Sequence, residues 1–317
     1  MFEQLQTLDN IRINFDAGGI HIVNIVLAFV MFGVALGLRT EMFKKVWRRP
    51  KAAYVGMFAQ YIALPGLTFL LVVLLNPWIT PTVAMGMILV AACPGGNISN
   101  FMSQLSRGNT ELSISLTAIN TALAPIMTPL NFWIWGRLYV NFISERAESA
   151  LQWLYIDPVQ MFYIVLLLLG VPLILGVLTV KYLPKVAKTM KKPMQYFSIF
   201  VFIALVVIAF SNNFSLFLQH ALYIFLLVFV HNALVLYSGY GLAQLFGLPE
   251  KDRRALTVET GIQNSGLGLV LLFNPNIFPP DLALGGMLFV TAWWGIWHIV
   301  SGLSVSFYWS RKAAIND

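Results

Sequence analysis

Long apolar runs separated by short charged loops make up most of the chain. The runs lie at about residues 18–38, 53–76, 82–105, 112–137, 158–180, 194–211, 219–246, 254–273 and 282–309. Each is close to the roughly 20 residues that a helix needs to cross a bilayer, whereas the strands of a membrane barrel would alternate over about 10 residues. The pattern therefore predicts an all-α membrane protein with nine transmembrane helices.

Two of the nine segments are interrupted by small and polar residues. The third contains CPGGNISN, in which Pro94, Gly95 and Gly96 favour a break because proline lacks an amide hydrogen and glycine admits non-helical backbone. The eighth reads RALTVETGIQNSGLGLVLLF and carries a carboxylate, Glu259. Non-helical backbone at membrane depth is tolerated only where it faces protein or a water-filled cavity. Two such broken helices predict the ion and substrate site of a secondary transporter.

The positions of these two segments predict an inverted repeat. They are the third and eighth of nine, and an odd offset places the two repeats in opposite orientations, as inverted-topology transporters require. The first repeat would comprise spans one to four and the second spans five to nine, with one helix missing at the start of the first.

Composition and charge support the membrane assignment and give an orientation. The chain is 58% hydrophobic and 10% charged, against roughly 25% charged residues in soluble domains. If the first connecting loop is cytoplasmic, all the lysines and arginines except Arg12, Arg137 and Arg146 fall on the cytoplasmic side. This bias predicts a multi-pass protein of the cell (inner) membrane, with the N-terminus outside and the C-terminus in the cytoplasm. The net charge of +7 is then explained by loops that face lipid headgroups, without a nucleic-acid partner.

The start of the chain and the cysteine content add two smaller expectations. Residues 1–16 show no cleavable signal peptide, and their apolar residues recur at helical spacing, which predicts a short interfacial helix with a disordered tail as the alternative. The one cysteine, Cys93, excludes a disulfide within the chain and any metal site built from cysteines.

Glu259 is the first candidate for a functional side chain. A carboxylate in hydrocarbon is costly unless it meets a cation, a proton or a cavity. Neighbouring Thr, Ser, Gln and Asn side chains supply the oxygen ligands that a hard cation prefers. A coupling-ion ligand is therefore favoured over an acid at the cytoplasmic mouth or a neutral buried acid. A half-helix beginning at Asn97 would favour an anion at the first break.

Two histidines have more than one interpretation. His231 is expected to hydrogen-bond within the bundle, with proton transport as the alternative. His298, in the run WWGIWHIVSG, could face the cavity or pack among aromatic side chains.

The motifs resemble a known family. CPGGNISN followed by SRGN, and ETGIQNSGLGL followed by a WH-x-x-SG run, are similar to those of the bile acid:sodium symporter family, over about residues 20–309. The resemblance implies one transporter domain, 1–317, in which two crossing broken helices lie in a mobile core beside a smaller panel. The core would comprise about 53–137 and 219–309, and the panel about 18–38 and 158–211.

The resemblance also implies the residues of the site. Two sodium ions would bind at the crossing, the first at Ser99, Asn100, Ser113, Thr117 and Glu259, and the second at Gln60, Glu259, Gln263 and the backbone carbonyls of Thr260 and Ile262. Substrate would lie near Asn97, Ile98, Asn264 and His298. Asn97 replaces a residue that is often Thr in the family, and Ile299 replaces the Asn of its WHN run. Sodium coupling is thus better supported than any particular substrate.

The sequence predicts a sodium-coupled importer of an organic anion, either bile-acid-like or a small monocarboxylate such as pantoate, that works by alternating access. No Lys or Arg falls centrally in a span, so helix N-termini and bound cations would balance the substrate's charge. A proton-coupled or uncoupled carrier and a non-transporting ligand sensor stay open, whereas a channel or an enzyme is disfavoured. Besides sodium, substrate and the bilayer, no cofactor or obligatory protein partner is expected.

Overall fold

A computed structural model describes residues 2–9, 17–39, 41–43, 50–96, 98–143, 158–211, 214–278 and 282–312. The regular elements of eight residues or more in these ranges are all helices, numbered here α1 to α12. Their bounds are α1 Phe2–Asp9, α2 Ala17–Ala35, α3 Pro50–Leu75, α4 Pro81–Ala92, α5 Ile98–Leu105, α6 Thr110–Ile143, α7 158–182, α8 Pro184–Ser211, α9 Phe214–Leu245, α10 Glu250–Gly261, α11 Ser265–Leu272 and α12 Gly285–Ser310.

Six of these helices are long and apolar enough to cross a bilayer. They are α3, α6, α7, α8, α9 and α12. Two shorter apolar stretches, Asn24–Ala35 in α2 and Pro81–Ala92 in α4, add to this apolar set. The predicted class, an all-α membrane protein, is therefore confirmed.

The two interrupted segments each fold as a pair of short helices. In the first pair, α4 ends at Ala92 and α5 begins at Ile98. In the second pair, α10 ends at Gly261 and α11 begins at Ser265. Both breaks therefore fall at the Pro-Gly-Gly and Gly-rich motifs from which the sequence predicts them.

Two helices widen into a π-helical turn just before a proline. The turns are Ala59–Ala63 in α3 and Leu166–Gly170 in α7, and they precede Pro65 and Pro172 respectively. Proline has no amide hydrogen and its ring clashes with the carbonyl four residues earlier, so a wider turn relieves the conflict. In α3 this turn contains Gln60, which the resemblance implicates in ion binding.

The helices pack in two groups through small residues. In the first group α4 lies against α12, where a Cβ added to Gly86 would come within 2.7 Å of the Met287 Cα. In the second group α2 packs on α7 and α8, and a Cβ added to Gly33 would lie 2.8 Å from the Met194 Cβ. Such close approach of backbones is a common way for membrane helices to associate.

One buried arginine joins the ends of α5, α10 and α12. Arg254 of α10 donates from Nε to the Glu250 carboxylate at 3.0 Å, and from Nη1 to the carbonyls of Ser106 at 3.0 Å and Trp309 at 3.5 Å. Its guanidinium also lies 5.5 Å from the Trp309 ring centre. The interpretation of Arg254 as a lipid-facing loop residue is therefore wrong, because it is only 3% exposed.

The N-terminal helix α1 packs against α9 and α12. The predicted helix within residues 1–16 is present as α1, and residues 10–16 lie outside the described ranges. Leu5 is fully buried, and the Thr7 hydroxyl lies 2.9 Å from His220 Nε2 on α9.

Candidate ion and substrate site

The two breaks meet through their backbones. The amide of Asn264, in the second break, donates to the carbonyl of Cys93, in the first, at 3.3 Å. Gly95 lies so close to the other break that an added Cβ would come within 2.8 Å of the Ile262 carbonyl oxygen and 3.0 Å of that of Glu259. Glycine is therefore required at this point of the crossing.

The helix after the second break starts with a side-chain cap. The Asn264 Oδ1 accepts a hydrogen bond from the Leu267 amide at 3.0 Å, which is the usual N-cap interaction. The N-terminus of α11, with its partial positive charge, is thus fixed at the crossing, where it favours a negative group.

Glu259 is buried, and four side chains donate hydrogen bonds to its carboxylate. Ser99 donates at 2.6 Å and Ser113 at 3.2 Å to Oε2, Thr117 at 3.0 Å to Oε1, and Asn120 at 3.4 Å to Oε1. The donors come from α5 and α6, while Glu259 lies on α10. The break in the first segment therefore faces the carboxylate of the second.

Asn100 completes the first group of predicted ion ligands. Its Oδ1 lies 2.9 Å from the Ser113 hydroxyl and 3.1 Å from the Thr117 hydroxyl, so each of these hydroxyls can donate its one hydrogen either to Asn100 or to Glu259. The structure thus brings together Ser99, Asn100, Ser113, Thr117 and Glu259 in one hydrogen-bonded cluster. Five oxygen-bearing side chains in one place can supply a hard cation with ligands.

Asn120 was not predicted as a site residue from the sequence. It lies three residues after Thr117, so the two side chains share one face of α6, and this spacing could have indicated that Asn120 lies beside the predicted ion ligands. Its amide donates to Glu259, and its Oδ1 has no hydrogen-bond partner among the described residues.

The second group of predicted ligands lies next to the first. Gln60 and Gln263 exchange hydrogen bonds, from Gln60 Nε2 at 3.0 Å and from Gln263 Nε2 at 3.2 Å. Gln263 Nε2 also donates to the Thr260 carbonyl at 2.6 Å, and the Ile262 carbonyl faces Gly95. Among the described residues, no hydrogen bond joins this group to the Glu259 carboxylate, although both groups adjoin Gly95.

A cavity of about 250 Å³ adjoins the crossing. Three of the predicted substrate residues, Ile98, Asn264 and His298, line it, together with Gln263 of the second group. Asn97, the fourth, lies outside the described residues. The cavity is therefore lined by both broken helices and by α12.

The α2 and α8 helices also line the cavity. From α2 it receives apolar side chains, among them Val30 and Val34, and from α8 it receives Lys191, Gln195 and Ser198. The sequence reasoning did not single out these polar residues of α8, although their spacing of four and three residues places them on one helix face.

His231 lies apart from this cavity's lining. It is fully buried, and its Nε2 lies 2.7 Å from the Thr68 hydroxyl. Its ring packs edge-on against Trp294 at a centroid distance of 4.8 Å. This placement favours hydrogen bonding within the bundle over proton transport.

Comparison with known proteins gives consistent matches. The Sodium Bile acid symporter family matches residues 24–220. The chain is 33% identical over 290 residues to the "Uncharacterized sodium-dependent transporter YocS" of Bacillus subtilis, which covers 92% of this chain and 83% of the relative.

Two further relatives come from plants and animals. The "Probable sodium/metabolite cotransporter BASS1, chloroplastic" of Oryza sativa subsp. japonica is 30% identical over 77% of this chain and 56% of its own length. The "Sodium/bile acid cotransporter 4" of Mus musculus is 30% identical over 81% of this chain and 56% of its own length. The chain thus spans just over half the length of these two relatives.

The comparisons agree with the resemblance of the two motifs. All three relatives are named as transporters or cotransporters, so the expectation of a transporter rather than an enzyme is confirmed. The chain belongs to the sodium bile acid symporter family.

Proposed function

We propose that the chain is a sodium-coupled symporter that imports an organic anion by alternating access. The buried carboxylate of Glu259 carries this proposal. It lies where two broken helices cross and is surrounded by hydroxyl and amide groups, and within the described residues it forms no ion pair. A charged carboxylate in such a place needs a cation for balance. The surrounding oxygens suit sodium, on which the transporter YocS is named as dependent.

Two sodium ions are proposed at the crossing. The first would bind to the side-chain cluster of Ser99, Asn100, Ser113, Thr117 and Glu259. The second would bind to Gln60, Glu259, Gln263 and the carbonyls of Thr260 and Ile262. A hydroxyl group rotates freely, so the three hydroxyls that now donate to Glu259 can turn their lone pairs towards an ion. Asn120 would keep its bond to the carboxylate and hold it in place.

The substrate is proposed to be a bile-acid-like anion or a small monocarboxylate such as pantoate. It would lie in the cavity beside Asn97, Ile98, Asn264 and His298, next to the N-terminus of α11. The organic substrates in the names of the rice and mouse relatives support this class. Two sodium ions with one monovalent anion would carry one net charge, and this adds roughly 2.3 kcal/mol of driving force at 100 mV.

The architecture proposed for this cycle has nine spans in an inverted repeat. The core of about 53–137 and 219–309 would move against the panel of about 18–38 and 158–211. The extensive packing of α2 on α7 and α8 supports this division. The protein would lie in the cell membrane with its N-terminus outside and its C-terminus in the cytoplasm, as the lysine and arginine distribution indicates.

Uptake into proteoliposomes tests the proposal. We would measure labelled taurocholate, pantoate and pyruvate with an inward sodium or an inward potassium gradient. At least one anion should accumulate only with sodium, and Glu259→Ala should lower that uptake by at least about 100-fold because it removes the charge that balances the ions. Glu41→Ala, at an exposed acidic residue, is the matched control and should leave uptake unchanged.

Three other results would overturn the proposal. Uptake that follows a proton gradient would favour a proton-coupled carrier, and uptake without any gradient would favour an uncoupled one. Saturable binding of an anion without uptake would favour a ligand sensor.

A further inference from the structure

One cationic side chain lies on the wall of the cavity. Among the described residues that line the cavity, Lys191 is the charged one. The sequence places it in a group of lysines that follow the fifth predicted span, where its charge is explained by membrane orientation alone. In the structure Lys191 also faces the space where the anion is proposed to bind. Its place in the cavity lining indicates a role in substrate recognition, in addition to any role in membrane orientation.

Lys191 begins a stripe of residues that leads to the crossing. Lys191, Gln195, Ser198 and Phe202 follow one another at spacings of four, three and four residues, so they share one face of α8, and all four line the cavity. At about 1.5 Å per residue, the stripe is about 16 Å long.

The far end of the stripe is fixed against the second break. A Cβ added to Gly266 would lie 3.4 Å from the Phe202 ring, and one added to Gly295 would lie 2.6 Å from it. Phe202 therefore packs at the start of α11, and Lys191 lies about 16 Å from it along α8.

The lining between these two ends is mostly apolar. Val30, Met31 and Val34 of α2 and Val201 of α8 line this part of the cavity. An occupant that matches this lining has an apolar body, with one polar end at the crossing and an anionic group within reach of Lys191. A neutral molecule of the same shape would gain nothing from the lysine.

We propose that Lys191 is a specificity-determining residue, whose ammonium group pairs with the anionic group of the transported substrate. This inference rests on the proposed function, because it assumes that the cavity holds the transported anion. Lys191 is exposed, and an ion pair at an exposed site contributes modestly to affinity and more strongly to selection of charge. We therefore expect the lysine to affect the KM for the anion more than the maximal rate, and to leave the sodium dependence unchanged.

A charge series at this one position tests the proposal. The one native cysteine, Cys93, is fully buried. A Lys191→Cys variant therefore introduces an accessible thiol that reagents can modify selectively. Of the three candidate anions, taurocholate has the extended apolar body that this lining requires, and in the proteoliposome assay with taurocholate the unmodified variant should show a KM raised about fivefold. If the wild type accumulates only pantoate or pyruvate, which are too short to reach from the crossing to Lys191, the inference is wrong. Aminoethyl methanethiosulfonate adds back an ammonium group and should restore the KM to within about twofold, whereas sulfonatoethyl methanethiosulfonate should raise it further.

Two matched controls separate recognition from general effects. Lys192→Cys changes a neighbouring lysine that does not line the cavity, and its KM should not respond to either reagent. The wild type treated with the same reagents reports any reaction at Cys93. The transported anion should also slow modification of Lys191→Cys but not of Lys192→Cys.

The outcomes distinguish this inference from the proposed function. If uptake needs sodium and Glu259, but the KM is the same for all three charges at position 191, the inference is wrong and the proposed function stands. If both positions respond equally to the reagents, the charge acts through the surface potential, and the inference is again wrong.

Discussion

The polar crossing and the helices on the far side of the cavity are built in opposite ways. The α6 helix, which supplies three donors to Glu259, has 67% of its most apolar stretch buried, whereas α8 has 6% of its stretch buried. The crossing is held by hydrogen bonds between side chains and backbone of different helices. The α2–α7–α8 group is held by apolar contacts at small residues such as Gly33. Directional hydrogen bonds hold the proposed ion ligands in fixed positions, whereas apolar contacts can change partners at little cost. The difference would suit the proposed alternating access, with a rigid crossing beside a movable wall.

Among the variants that test this comparison, the largest effect is expected from widening the crossing itself. In Gly95→Ala the new methyl group would meet the carbonyl oxygens of Ile262 and Glu259 at 2.8 and 3.0 Å, so the two breaks would have to separate. We expect sodium-dependent uptake to fall by at least about 50-fold, as expected when a site is displaced by about 1 Å.

Gly96 provides the matched control for this variant. A Cβ at Gly96 meets nothing within 4 Å, so Gly96→Ala should keep uptake within about threefold of the wild type. Both variants would be compared at equal amounts of folded protein, measured by size-exclusion chromatography. Equal loss in the two variants would show that the close approach at Gly95 is unimportant.

A smaller effect is expected at Asn120, which was not predicted from the sequence. Asn120→Ala removes one donor to Glu259 at 3.4 Å and leaves the other three in place. The sodium concentration for half-maximal uptake should rise about fivefold, because a single hydrogen bond contributes about 1 kcal/mol. The matched control is Asn131→Ala on the same helix, where the side chain bonds locally to the Met127 carbonyl. An unchanged sodium dependence in Asn120→Ala would exclude Asn120 from the ion site.

The smallest effect is expected on the apolar wall. Phe202→Ala removes the ring that packs near Gly266 and Gly295 and enlarges the cavity without removing a polar contact. We expect the KM for the anion to rise about two- to threefold, with unchanged sodium dependence. Ile203→Ala, at an exposed neighbour, should have no measurable effect. A change in sodium dependence in Phe202→Ala would show that the wall and the ion site are coupled more tightly than their packing indicates.

Much of the candidate site could be predicted from the sequence, because charged and helix-breaking residues are unfavourable within a membrane and therefore stand out in an apolar run. Glu259 stands out in an apolar run, and Pro94 with its two glycines marks the other break, so the two elements that cross were visible in the sequence. Gln60 was different. Only the resemblance to the family implicated it, because a glutamine ahead of Pro65 gives no sign that the helix widens there and brings the side chain to Gln263.

The remaining residues could not be predicted because their roles depend on which helices pack together. Asn120 resembles any polar residue of a helix until α10 is placed beside it. Arg254 and Lys191 lie in basic groups that the topology rule explains, and nothing local separates them from their neighbours. In the structure one is buried among three helix ends and the other lines the cavity.

The contacts of Arg254 have a mechanical consequence. They tie the start of α10, the turn after α5 and the end of α12 at one end of the bundle. Since α10 also carries Glu259, a force on the proposed ion ligands would be transmitted along that helix to a joint that resists spreading. In the proposed alternating-access cycle the two broken helices and α12 would then move as one stiff lever, with the movement concentrated at the apolar contacts with α2 and α8.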